Sequence, residues 1–62
     1  MKMKEFIEKN FNGNQAAFAR KHDFSDQQVS RAVNGGPLSR NALRRLVDAT
    51  GGKVTADDIL SV

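Results

Sequence analysis

A chain of 62 residues can build one domain around one small core, burying only about 60% of the surface its unfolded form exposes. It has no cysteine and a single histidine, which excludes a disulfide framework and a thiolate metal site and leaves nothing for a histidine metal cluster. The net charge of +3 permits a polyanionic partner without requiring one.

Met3, Phe6, Ile7 and Phe11 fall on one face of a helix near residues 2–11. Asn12–Gly13 stops it, because glycine takes the left-handed conformation that closes a helix C-terminus. Asn14 can cap a second helix running to about His22, with Ala16, Phe18 and Ala19 as its apolar surface. The chain then turns at Asp23–Phe24. Ser25 opens the pattern Ser-Asp-Gln-Gln, a capping box in which Ser25 and Gln28 satisfy each other's free backbone N–H groups. The third helix should reach about Val33 before Asn34–Gly35–Gly36–Pro37 ends it, with Val29, Ala32 and Val33 inward and Phe24 plugging the corner.

Ser39 can cap a fourth helix with Ala42, Leu43, Leu46 and Val47 along one stripe, closed by Gly51–Gly52. Thr55 followed by Asp58 reads as the start of a short last helix carrying Ile59 and Leu60. Only "GGKVT" has strand flavour, and it is too short to pair. The expectation is an all-α fold of five short helices in a single domain spanning residues 1–62, with no linker, repeat or low-complexity segment. No apolar run approaches the ~18 residues needed to cross a bilayer, and Met1–Asn10 is too charged for a signal peptide. A soluble, cytoplasmic protein is expected.

Charge is unevenly placed. From Gly36 to Val47 there are three arginines, Arg40, Arg44 and Arg45, and no acid, whereas Asp48, Asp57 and Asp58 gather near the C-terminus. The outward face from Ser25 to Arg31 holds Asp26, Gln27, Gln28, Ser30 and Arg31, without the lysine–glutamate pairing usual on a solvated helix. A helical hairpin that only fills a core accounts for Ala19, Phe24 and Val29 equally well, but not for that face.

Two helices joined by a tight turn, the second poised to reach outward, describe a helix-turn-helix. Ala19 lets the second helix cross closely, Asp23 tolerates the unusual backbone angles of the turn, and Val29 anchors the second helix inward. With Gln15 opening the motif, Phe24 after the turn and the ending "VSRAVNGG" from Val29, this stretch resembles the lambda-repressor-like helix-turn-helix family, and within it the small Cro proteins of lambdoid phages. The tail "ATGGKVTADDIL" is similar to the end of small Cro-like and antitoxin-like regulators. The chain departs from the family at Asp23, where glycine is usual, and at His22, where an apolar residue is usual; His22 is expected to be a half-buried packing residue.

The resemblance implies a repressor of a phage or prophage in a bacterial cell, binding a near-palindromic double-stranded DNA operator through the major groove as a homodimer. Carried over by position, Ser25, Asp26, Gln27, Gln28, Ser30 and Arg31 meet base edges. Glutamine suits adenine N6 and N7, arginine suits guanine O6 and N7, and aspartate suits cytosine N4. Asp26 could instead complement the helix dipole, and Gln28 has a rival duty in the capping box. Phosphates would be met at the rims: Asn14 and Gln15 at the start of the second helix, and Asn34, Arg40 and Asn41 beyond the third. Half-sites would lie about one helical turn apart, roughly 34 Å. The dimer surface is expected on the fourth and fifth helices, with Val54, Leu60 and Val62 as candidates. Transcription would be blocked by occlusion, although activation is also open.

Two other classes compete. An antitoxin-type regulator would add a toxin protein as partner, and the chain has no extra toxin-wrapping tail. A protein-interaction module would dock through Phe11, Leu38 and the last helix. RNA is a poorer partner, since the chain has no Tyr or Trp for base stacking. No enzyme, cofactor, metal or small-molecule site is expected: there is one poorly placed histidine, no phosphate-binding glycine loop and little room for a pocket.

Overall fold

Local hydrogen bonding sets the helix ends in the computed structural model, which describes residues 1–61. The elements in chain order are α1 (Met3–Phe11), α2 (Gln15–His22), α3 (Asp26–Asn34), α4 (Arg40–Ala49) and α5 (Ala56–Leu60). Asn14 Oδ1 accepts from the Ala17 N–H at 3.1 Å, and Ser39 Oγ accepts from that of Ala42 at 3.1 Å. Ser25–Gln28 and Thr55–Asp58 form complete capping boxes at the starts of α3 and α5. Each such bond satisfies a backbone donor with no partner inside its helix, and losing one costs about 1 kcal/mol.

The stops are equally local. Asn12 (φ 53°) and Asp23 (φ 59°) adopt the left-handed conformation at the ends of α1 and α2. Asparagine and aspartate tolerate this better than other residues with a side chain. Gly35 does the same after α3. No strand occurs among the described residues; the "GGKVT" stretch is a turn and a bend.

Phe18 is the centre of the core. It is fully buried on α2, with Phe6 6.0 Å, Phe11 5.4 Å and Phe24 5.9 Å away between ring centroids. His22, half-buried as expected, lies 4.8 Å from Phe18. α1 packs on α2 and α3, α2 packs on α3, and α5 packs on α3 and α4. Met3, Ile7, Ala19, Val29 and Ala32 belong to the same cluster, completed by Leu46, Val54 and Ile59. Val33, Leu43 and Val47 lie at its margin, half-buried.

One residue departs from the expectation drawn from the sequence. Val54, expected as surplus surface for a dimer, is completely buried and belongs to the core. Thr50 explains its position. This buried threonine donates to the Val47 carbonyl at 2.9 Å and accepts from the Val54 N–H at 3.2 Å, pinning the segment after α4 inward. Leu60 does stay outside, 70% exposed, and Val62 lies outside the described residues.

Candidate nucleic-acid interface

α3 is short, so its orientation depends on what grips its ends and its inner face. Val29 and Ala32 are fully buried and fix that face. The turn before it contains Asp23, Phe24 and Ser25: the Phe24 N–H donates to the Ala19 carbonyl at 2.8 Å, and the Phe24 ring stacks on Phe18. At the far end, the N–H groups of Gly35 and Gly36 both donate to the Arg31 carbonyl, at 2.8 and 2.9 Å.

Opposite the buried face, Gln27, Ser30, Arg31 and Asn34 follow the i, i+3, i+4, i+7 spacing that makes a single stripe along a helix. Gln27 and Asn34 are exposed, while Ser30 and Arg31 are half-buried. Asn34 Nδ2 donates to Ser30 Oγ at 3.3 Å, linking two members of the stripe. The salt bridges among the described residues join Met1 to Asp58 and Lys9 to Glu5, so Arg31 has no acidic partner there. No side-chain hydrogen bond of its guanidinium is formed among the described residues either. Asp26 is exposed in the first turn, where a carboxylate complements the positive end of the helix.

Ser25 and Gln28 are tied to each other. Ser25 Oγ accepts from the Gln28 N–H at 3.1 Å, and Gln28 Oε1 accepts from the Ser25 N–H at 3.1 Å. A glutamine that pairs with adenine needs both its oxygen and its amide N–H. For Gln28 that would break the box, whereas Gln27 is under no such constraint.

The remaining candidates sit on other elements. Asn14 is exposed at the N-cap of α2 and Gln15, half-buried, is its first residue; Arg40 and Asn41 are exposed in the first turn of α4. Asn14 already uses its side-chain oxygen on the Ala17 N–H, which leaves its amide NH₂ as the group available to an anion.

Arg45 has a role the sequence did not suggest. Its guanidinium sits 4.6 Å from the Phe24 ring centroid and donates to the Asp23 carbonyl at 3.0 Å. It thereby clamps the α2–α3 turn to α4. In the sequence it was one cation of a basic run, and nothing local marks a contact 22 residues away.

α4 and the start of α5 border an open, apolar groove of about 340 Å³, lined by Leu43, Val47 and Ala56 together with Arg40, Arg44, Asp48 and Thr55. Leu43 and Val47 pack on the core on one side and line this groove on the other. On α5, Asp58 has its carboxyl held down to about 2 by a hydrogen bond from the Met1 ammonium and a second from the Thr55 N–H. No group of three or more metal-ligating side chains occurs among the described residues, and none of their helices is long and apolar enough to cross a membrane.

Comparison with known protein families, curated proteins and solved structures finds no match to this chain.

Proposed function

We propose that this chain is a sequence-specific double-stranded DNA-binding regulator in which α2, the turn and α3 act as a helix-turn-helix and α3 enters the major groove. The observation that carries this reading is the outward stripe of α3. Gln27 and Arg31 share one face of a helix gripped at both ends, and their side-chain donors and acceptors have no protein partner among the described residues. A face built only for solvent would need no such fixed orientation. Arg31 would read guanine and Gln27 adenine, with Asp26 and Ser30 beside them; Ser25 and Gln28 would chiefly hold the helix start. Asn14, Gln15, Asn34, Arg40 and Asn41 would meet phosphates and set the register.

One such unit spans only a few base pairs, so the operator would be near-palindromic and the protein a homodimer upon it. The α4–α5 groove and the exposed Leu60 supply apolar surface for a second copy. Acting as a Cro-like repressor in the cytoplasm of a bacterial host, the protein would work by occluding the promoter, with no catalytic step. The same groove also favours a second reading, an antitoxin-type regulator whose groove takes a partner protein instead.

The deciding experiment is selection of binding sites from random duplex DNA, followed by titration against salt. A palindromic consensus with half-sites roughly 34 Å apart is expected, with affinity falling steeply as salt rises. A pool with no enriched sequence, together with no salt response, would leave a protein-binding module.

A further inference from the structure

Gly36 lies outside α3, yet it closes against the stem of Arg31. A Cβ built on Gly36 would fall 2.7 Å from Arg31 Cγ, 3.1 Å from its Cβ and 3.4 Å from its Cα. At Gly13, Gly51 and Gly52 the same construction meets nothing within 4 Å. Those three have positive φ and serve backbone geometry, whereas Gly36 does not; what its bare Cα provides is space. Its N–H also donates to the Arg31 carbonyl at 2.9 Å, so the two residues are tied through the backbone.

The consequence follows from side-chain geometry. Arg31 Cγ can occupy a small set of staggered positions about the Cα–Cβ bond, and which one it takes sets the direction of the whole side chain. The present position exists because residue 36 has no Cβ. An alanine there would meet Cγ near the base of the side chain, which cannot step aside without changing χ1, while Cβ and Cα belong to the helix and are fixed. The guanidinium would then leave from a different point.

We propose that Gly36 is a positioning residue for Arg31, and that base discrimination by Arg31 depends on glycine at position 36. This rests on the DNA-binding reading given above. A bidentate arginine–guanine pair requires the planar guanidinium to lie along the base edge, so redirecting the stem removes discrimination while leaving the charge in place.

The test compares Gly36→Ala, Arg31→Ala and the double variant in two measurements. The first is the ratio of affinities for the selected site and for a site changed at the base pair that Arg31→Ala identifies. Gly36→Ala should reduce that ratio by about fivefold or more. In the Arg31→Ala background it should have little further effect, because the 2.7 Å contact no longer exists. The second needs no DNA: NMR couplings across the Arg31 Cα–Cβ bond should report a changed χ1 in Gly36→Ala. If Gly36→Ala fails to fold, recovery of folding in the double variant supports the contact, and a double variant that stays unfolded overturns it. Unchanged χ1 with an unchanged ratio overturns the proposal while leaving DNA binding intact. Absence of any sequence preference in the wild type overturns the DNA-binding reading, and with it the role assigned to Gly36.

Discussion

Replacing Arg45 with methionine tests whether the α2–α3 turn is held from α4. Methionine keeps an unbranched stem and good helix propensity, so the change removes mainly the guanidinium. Two interactions go with it: the hydrogen bond to the Asp23 carbonyl at 3.0 Å and the contact with the Phe24 ring at 4.6 Å. A hydrogen bond from a charged donor contributes ~1.5–3 kcal/mol, and solvent around this exposed arginine reduces that to ~1 kcal/mol or less. An exposed cation–π contact adds ~0.5–1 kcal/mol. The sum is about 1.5 kcal/mol. In a domain of this size each kcal/mol moves the melting temperature by about 4–8 °C, so a fall of roughly 6–12 °C is expected. Thermal unfolding followed by circular dichroism measures it, with Arg44→Met as control, since Arg44 lines the groove and makes neither contact. The sign is informative. The chain carries a net charge of +3, so removing a cation from a surface without partners should leave stability unchanged or raise it slightly. An Arg45→Met protein that melts within about 2 °C of both wild type and Arg44→Met would refute the clamp; that margin is below the shift expected for even half of the estimated energy.

Arg31→Met should weaken the selected DNA site by roughly 1–3 kcal/mol and relax preference at one base pair, as measured by titrating single-substituted duplexes. Arg40→Met should weaken specific and random DNA alike and lower the slope of log affinity against log salt by about one; the opposite assignment of these effects would mean that α3 does not read the bases. Val54→Ala should cost about 2 kcal/mol of stability in urea unfolding, as expected for a fully buried aliphatic side chain, whereas Leu60→Asn should leave unfolding nearly unchanged and reduce cooperativity of DNA binding. Asp58, held at about 2 from an ordinary 3.8, contributes stability that is fully present above about pH 4 and is lost as pH falls through its folded value near 2. Asp58→Asn should therefore flatten the decline in melting temperature between pH 4 and 2, and equal slopes for the two proteins would count against the ion pair with the Met1 ammonium.

The helices and their ends were legible in the order of residues alone, because helix caps are local. Asn14, Ser25, Ser39 and Thr55 each bond a backbone N–H three residues on, and Asn12 and Asp23 take left-handed angles that few other side chains tolerate. The spacing of apolar residues likewise showed which face of each helix turns inward. What periodicity does not contain is how much neighbouring structure covers that face. Leu43 and Val47 keep the same helical spacing as Ala42 and Leu46, yet they border an open groove because α5 covers the stripe only in part. Val54 and Leu60 looked equally spare in the sequence; the hydrogen bond from the Val54 N–H to Thr50 draws one inside and leaves the other 70% exposed. The candidate site divides in the same way. Gln27 and Arg31 were legible because two residues four apart on a helix must share a face. The clamp of Arg45 on the turn and the seat that Gly36 leaves for Arg31 arise only when separate segments meet in space, and tertiary packing alone decides which segments meet.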